Sequence, residues 1–250
     1  MSNTFIEDNP IIIEGNSITF NNLYTGAKTE RLFDMTSFKL HEQLKNMDYN
    51  KEYNATGKVT CPEIENYKMI PFAYMYYYFV AINGKIPTPN ELSEQYLKVF
   101  CEKNLDGTYK FKNKYLLDKK NLNFDKNSLV ARIMRAYNSY NRELELLINL
   151  KEKFKNKAIV KYDSIADLCC GVDIIVKTKS NEEYGLATYV GTKRSKSYKV
   201  KKNTLRHDYS KLNMIDVIAY MSGDDKNVTK YGDIFVYNKS VVNDIYEKIV

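Results

Sequence analysis

The stretch GVDIIVKTKSNEEYGLATYV, residues 171–190, decides the fold class of this chain. Residues 172–176 and 184–190 are short runs rich in β-branched and aromatic side chains, and the polar segment 181–183 between them is typical of a turn. The stretch therefore predicts two neighbouring strands. Asp173 is unusual in it, because carboxylates are disfavoured in strands and rarely lie in a core without a partner.

The residues on either side predict a mixture of helices and further strands. Apolar side chains recur at three- and four-residue steps over residues 128–154, which is the period of an amphipathic helix. Residues 158–162 and 234–237 read as strands, and residues 214–221 and 241–249 as helices. This order predicts an α/β (α+β) fold, in which a mixed sheet is flanked by helices.

The first half of the chain, residues 1–120, is predicted to be a separate and mainly helical region, followed by a core over residues 121–250. Within it, residues 71–101 predict two helices joined at Asn83-Gly84, the second with Thr88 as its N-cap. This is the outline of a helix-turn-helix. The acidic start of the second helix favours a packed helical hairpin instead, and both interpretations stay open.

Composition narrows the class of protein. Apolar residues make up 44% and charged residues 28% of the 250 residues, which argues against disorder over the whole length. The four cysteines show no zinc-ligand spacing, so we expect reduced thiols and a cytoplasmic protein.

No basic-then-apolar leader opens the sequence, and the longest apolar stretch is too short for a bilayer, so no membrane contact is expected. Walker A and GxSxG motifs are absent from the sequence.

The distribution of charge points to a polyanion. The formal net charge is +7, and residues 193–206 hold seven basic side chains and no acidic one. Such a segment can neutralise phosphates, so we favour nucleic acid as the partner over the alternative of a solvated surface strand. Its basic residues are Lys193, Arg194, Lys196, Lys199, Lys201, Lys202 and Arg206.

Asp173 also has a place in metal chemistry. Phosphodiester hydrolysis with Mg²⁺ needs carboxylates close together, together with a lysine near the phosphate. A glutamate from the long helix, which offers Glu143 and Glu145, could reach the strand that carries Asp173. The alternative is a structural carboxylate paired with Arg132 or Arg135, and the two interpretations have equal weight.

Residues 128–205, which contain Asp173 and the glutamates of the long helix, resemble the restriction-endonuclease-like superfamily, the PD-(D/E)xK nucleases. GVDIIV resembles the family's strand with the metal-binding Asp, and RELELL its preceding helix with a Glu. The resemblance implies that Asp173 and Glu143 are catalytic and bind Mg²⁺. The family's next strand carries a lysine, but this chain has Ala187, Thr188 and Tyr189 there, so Lys193 is the candidate for that role.

The resemblance implies a Mg²⁺-dependent DNA endonuclease of restriction or phage-defence type. Its partner would be double-stranded DNA, held by the basic residues from Arg194 to Arg206, and a homodimer is compatible with it. The missing strand lysine motivates an alternative, a catalytically inactive DNA- or RNA-binding regulator from a phage or mobile element. A third hypothesis is that the basic segment contacts an acidic partner protein.

Overall fold

A computed structural model describes residues 4–54, 61–116, 121–193 and 212–250. Their helices are α1 (Thr4–Asp8), α2 (Ser37–Lys45), α3 (Tyr49–Glu52), α4 (Pro62–Asn66), α5 (Phe72–Asn83), α6 (Pro89–Phe100), α7 (Lys126–Lys153) and α8 (Lys239–Ile249). Their strands are β1 (Ile12–Glu14), β2 (Ser17–Asn21), β3 (Lys28–Leu32), β4 (Cys101–Lys103), β5 (Tyr109–Phe111), β6 (Ala158–Asp163), β7 (Ile174–Thr178), β8 (Glu183–Val190), β9 (Asn213–Ala219), β10 (Val228–Tyr231) and β11 (Ile234–Tyr237).

A mixed sheet is the centre of the fold and confirms the predicted α/β class. In the described residues it has seven strands in the order β3-β2-β1-β6-β7-β8-β9, while β4 pairs with β5 and β10 with β11 in two small sheets. All neighbours in the large sheet are antiparallel except β8 and β9, which run parallel. Because β1 pairs with β6, the large sheet contains strands from both sides of the predicted boundary near residue 121.

The long helix α7 packs against this sheet and against β11. Its apolar face, which includes Leu144, Leu147 and Leu150, is completely buried. The helix begins slightly earlier than the sequence indicated, because the side chain of Asp125 caps it by accepting a hydrogen bond of 2.9 Å from the backbone N–H of Ser128. The helix predicted over residues 128–154 is therefore confirmed.

The predicted helical hairpin over residues 71–101 forms as α5 and α6. Gly84 ends α5 with a φ of 65°, and Thr88 and Glu91 make the expected capping box at the start of α6. α5 is apolar on all sides and buries Tyr74 and Tyr77 in the core. Its packing against α6 and the sheet accounts for its sequence, and its proposed relation to a DNA-binding helix-turn-helix stays a prediction.

One predicted element is wrong. Residues 214–221 were expected to be helical, but Asn213–Ala219 form β9, the parallel neighbour of β8. A short apolar run has no periodicity that separates a strand from a buried helix, so the pairing with β8 decides its structure. α2 begins at Ser37, because the side chain of Thr36 caps it by accepting a hydrogen bond from the backbone N–H of Lys39.

The turn between β10 and β11 gives a direct test of the packing around α2. Gly15 and Gly232 both have left-handed backbones, with φ of 57° and 54°. A methyl group on Gly15 would meet open space, whereas one on Gly232 would overlap the backbone carbonyl of Leu44 in α2. We expect Gly15→Ala to cost about 1 kcal/mol of unfolding free energy through backbone strain alone. Gly232→Ala should cost about 1–3 kcal/mol more, because the hairpin must move.

Urea unfolding of the two variants beside the native chain measures this difference. Equal losses for both variants would contradict the close approach of the β10–β11 turn to α2.

Candidate active site

The two acids predicted to act together meet at one residue of β8. The backbone N–H of Thr188 donates a hydrogen bond to the carboxylate of Asp173. The Thr188 hydroxyl donates to Oε1 of Glu143 at 3.4 Å. An acid from the middle of α7 and an acid just before β7 are therefore both hydrogen-bonded to a single threonine.

Local backbone structure places Asp173 there. The preceding segment, Ala166–Cys170, is a π-helical turn that ends at Gly171 with a left-handed φ of 75°, a conformation that glycine adopts without strain. The chain then enters the ladder with β8, where the N–H of Asp173 donates to the carbonyl of Leu186 at 2.9 Å. Asp173 is the last residue before β7, so its side chain reaches Thr188 across the ladder.

A third acid, Asp167, lies in the same π-helical turn. It is 8% exposed, and one of its oxygens accepts a hydrogen bond of 3.2 Å from the hydroxyl of Tyr162 on β6. We refer to Glu143, Asp167 and Asp173 as the acidic cluster. Burial raises the pKa of Glu143 well above its ordinary value, and the negative charges of Asp173 and Asp167 raise it further.

Buried tyrosines surround the acidic cluster on the side of the core. The rings of Tyr77 and Tyr162 are stacked with their centroids 3.7 Å apart. Burial raises the pKa of both phenols, and the charges of Glu143 and Asp167 contribute to each. Tyr140 is affected in the same way. These phenols therefore remain neutral, whereas Glu143, Asp173 and Thr188 are partly exposed.

A buried cation lies beside the cluster. Arg142 is 3% exposed, and among the described residues its Nε and Nη1 groups have no hydrogen-bond partner. Its guanidinium carbon lies 5.9 Å from the ring centroid of Tyr237, whose hydroxyl donates to the carbonyl of Val217 at 3.0 Å. Val217 is the β9 neighbour of Thr188. The positive charge of Arg142 lowers the pKa of Glu143 and so opposes the effect of the two aspartates.

The other predicted residues fall into three groups. Lys193 is exposed and lies just past the end of β8. Glu145 does not join Glu143, because its carboxylate accepts a hydrogen bond from His41 of α2. The remaining basic residues, Arg194, Lys196, Lys199, Lys201, Lys202 and Arg206, lie outside the described residues.

The arginines considered as structural partners of Asp173 are engaged at α4. Arg132 donates to the carbonyl of Tyr67 at 3.3 Å, and Arg135 forms an ion pair with Glu65. Ala187 stands where the family has its acidic residue, and it is buried. Tyr189 stands where the family has its lysine, and its hydroxyl donates to Asp216 at 3.2 Å.

The carboxylates of Glu143 and Asp173 are the kind of ligand that a hard divalent cation prefers. Mg²⁺ is commonly bound by one or two carboxylates, with water and substrate phosphates as its other ligands. Glu143 and Asp173 provide two partly exposed carboxylates, and their mutual repulsion would fall on binding a cation. In the described ranges no three His, Cys, Asp or Glu side chains are arranged to hold one metal ion. Glu143 and Asp173 could supply two protein ligands at this position.

Two residues at this site, Asp167 of the acidic cluster and Thr188 beside it, had weak signals in the sequence. Asp167 was only one of several loop acids, and its burial depends on the π-helical turn and on Tyr162. Thr188 lies between the positions of the family's acidic residue and its lysine, where the resemblance places no functional side chain, and nothing in the sequence indicates that it contacts both acids. The signal that could have identified it is its register, because Thr188 lies two residues beyond Leu186, the partner of Ile174 in the β7–β8 ladder.

Comparisons of this chain with protein-family models, with curated proteins and with solved structures found no match. Within the described ranges, no helix has both the length and the apolar character that crossing a bilayer requires. Any assignment of function therefore rests on the geometry of the site.

The raised pKa of Glu143 predicts a pH-dependent change in stability. The folded chain holds this proton at a higher pH than the unfolded chain, whose glutamates titrate near about 4.3. Unfolding free energy is therefore lost as pH rises above that value. We expect Glu143→Gln to stabilise the protein by roughly 1 kcal/mol at pH 8 and to have little effect at pH 4.

Urea unfolding at pH 4, 6 and 8 tests this, with Glu247→Gln on the exposed face of α8 as the matched control. A Glu143→Gln variant that is no more stable than the native chain at pH 8 would contradict the raised pKa of Glu143.

Proposed function

We propose that this chain is a Mg²⁺-dependent endonuclease that hydrolyses phosphodiester bonds in double-stranded DNA, with a restriction-endonuclease-like core. The observation that carries the proposal is the meeting of Glu143 and Asp173 at Thr188. An acid from a long helix and an acid from the following sheet are the pair that the resemblance to PD-(D/E)xK nucleases requires. A role in restriction or phage defence is part of the same proposal.

The order of elements supports this proposal. A long helix is followed by three antiparallel strands, α7 and then β6, β7 and β8, with Glu143 on the helix and Asp173 at the start of the second strand. Glu143 and Asp173 would hold Mg²⁺, which when bound polarises a phosphoryl oxygen and activates a water molecule. The tyrosines behind the cluster would exclude bulk water, which strengthens electrostatic interactions at the site.

The positive charge at the site would come from two directions. Lys193, exposed beyond β8, can contact the phosphate, which is the role we propose for it in place of the strand lysine. Arg142 provides a fixed charge behind Glu143 that favours its ionised form. The basic residues from Arg194 to Arg206 would neutralise phosphates on either side of the cleaved bond.

A second candidate is a catalytically inactive DNA- or RNA-binding regulator with the same core. The specific observation in its favour is Thr188, whose backbone and hydroxyl are both hydrogen-bonded to the acids, next to a strand that carries no lysine. Binding would then depend on the basic segment alone. Affinity would fall with salt by about 0.9 log units per log unit of salt for each phosphate neutralised on duplex DNA.

Cleavage of supercoiled plasmid DNA in the presence of Mg²⁺ or Mn²⁺ distinguishes the two candidates. We expect the native chain to cleave and Asp173→Ala to lower the rate by roughly 100-fold or more, because a metal ligand is lost. DNA binding at low salt should change little. Asp244→Ala, an exposed acid on α8, is the matched control and should cleave like the native chain.

Salt-sensitive binding without cleavage under either metal would favour the inactive regulator. Cleavage that survives in Asp173→Ala would remove the proposed site.

A further inference from the structure

A second cleft lies on the opposite face of α7 from the acidic cluster. It has a volume of about 720 Å³ and is lined by residues of α2, α7, β10 and the start of α8, together with the end of β11. Sites for small molecules usually have volumes of about 300–1,000 Å³. The cleft therefore has room for a ligand, and its side chains indicate what kind.

Glu145 is a buried acid that lines the cleft. Its side chain is 2% exposed. Oε1 accepts a hydrogen bond from Nε2 of His41 at 3.1 Å and a second one from the side-chain amide of Asn149. Among the described residues, none donates to Oε2, although this oxygen is buried. Buried acceptors nearly always have a partner, so the ionised form of Glu145 leaves an unfilled requirement for a hydrogen-bond donor. Burial raises the pKa of Glu145, and the hydrogen bonds from His41 and Asn149 lower it. A ligand that donates to Oε2 must also displace a neighbouring side chain, because this oxygen has almost no exposed surface.

Flat aromatic groups form one wall of the cleft. The imidazole of His41 is stacked on the ring of Tyr231, with the centroids 3.8 Å apart and the planes 11° from parallel. Phe38, one turn before His41 on α2, lines the same cleft and is 73% exposed. An exposed phenylalanine beside a stacked pair gives a planar ligand a surface on which to lie.

Positive groups lie elsewhere along the lining of the cleft. Lys153 belongs to the last turn of α7, and Lys239 is the first residue of α8. The N-terminus of α8 adds backbone N–H groups and the positive end of its dipole, a combination that favours phosphate. Asn238 caps this helix by accepting a hydrogen bond from Val241, which leaves other N–H groups of the first turn for a ligand.

We propose that this cleft binds a nucleotide whose base carries an exocyclic amino group. The amino group would donate to Oε2 of Glu145, the base would lie against Phe38 and the stacked pair, and the phosphate would meet Lys239 and the start of α8. A simple amine would leave both lysines without a role, and a simple anion would face the carboxylates of Glu145 and Glu152. A nucleotide uses all three features of the cleft.

This site is distinct from the acidic cluster and goes beyond the proposed nuclease activity. Its ligand could be a free nucleotide or a base turned out of a DNA strand, since both offer the same amino group and phosphate. Binding requires no metal, so it can be measured in EDTA and in the Asp173→Ala variant. A failure of the nuclease proposal would therefore leave this one testable.

Calorimetric titration of the full chain in EDTA tests the proposal with two probes, AMP and purine riboside 5′-monophosphate, which lacks only the amino group. We expect AMP to bind roughly tenfold more tightly, because only AMP satisfies Oε2. Glu145→Gln should abolish this preference, since its amide can present a donor where Oε2 accepts. Lys239→Ala should weaken both probes by a similar factor, and Glu247→Gln should change neither.

A short oligo(dA) strand separates the two sources of ligand. Tighter binding of the strand than of AMP that is weakened by Glu145→Gln identifies a base from DNA, because the basic segment would bind the strand equally in both chains. Tighter binding of AMP identifies a free nucleotide. The proposal is overturned if neither AMP nor the strand binds at millimolar concentration, or if AMP and the probe without the amino group bind equally. Lys239→Ala, an exposed substitution that leaves the core intact, would overturn the phosphate contact if it left both affinities unchanged.

Discussion

The hydrogen bonds from Thr188 to Asp173 and Glu143 are the interaction on which the rest of this account depends. They join the sheet to α7 at a point where like charges are brought together and partly buried, which opposes folding. The apolar face of α7 can offset that cost, because full burial of a side chain such as Leu144 or Leu147 contributes about 1.5–3 kcal/mol. The core therefore holds an arrangement that the acids alone would not adopt.

A single helix separates two chemically different sites. Glu143 and Glu145 are two residues apart on α7, so their side chains point in different directions. Glu143 faces β7 and β8 and joins two other acids, whereas Glu145 faces α2 and is held by His41. Arg142, on the same turn, is buried against Tyr237 and provides positive charge near the first site. The proposed nuclease and nucleotide sites thus share one rigid support.

The periodicity of the sequence predicted α7, α5 and α6 well, because each has a clear apolar pattern or strong capping residues. The sequence also predicted β7 and β8, whereas the order of Glu143 before Glu145 came from the resemblance to the PD-(D/E)xK nucleases. It failed at residues 214–221, where only the parallel pairing with β8 decides between strand and helix. It could not foresee the roles of Thr188 and Asp167, because these depend on strand register and on a π-helical turn, which leave no periodic signal.

The central claim is that Glu143 and Asp173 together form a cation site, and anomalous diffraction from a crystal soaked in Mn²⁺ tests it most directly. The account predicts a peak between the two carboxylates, next to Thr188, that is absent from crystals of Asp173→Ala. A fully soaked native crystal with no peak at this position, or with the two carboxylates turned away from each other, would contradict it.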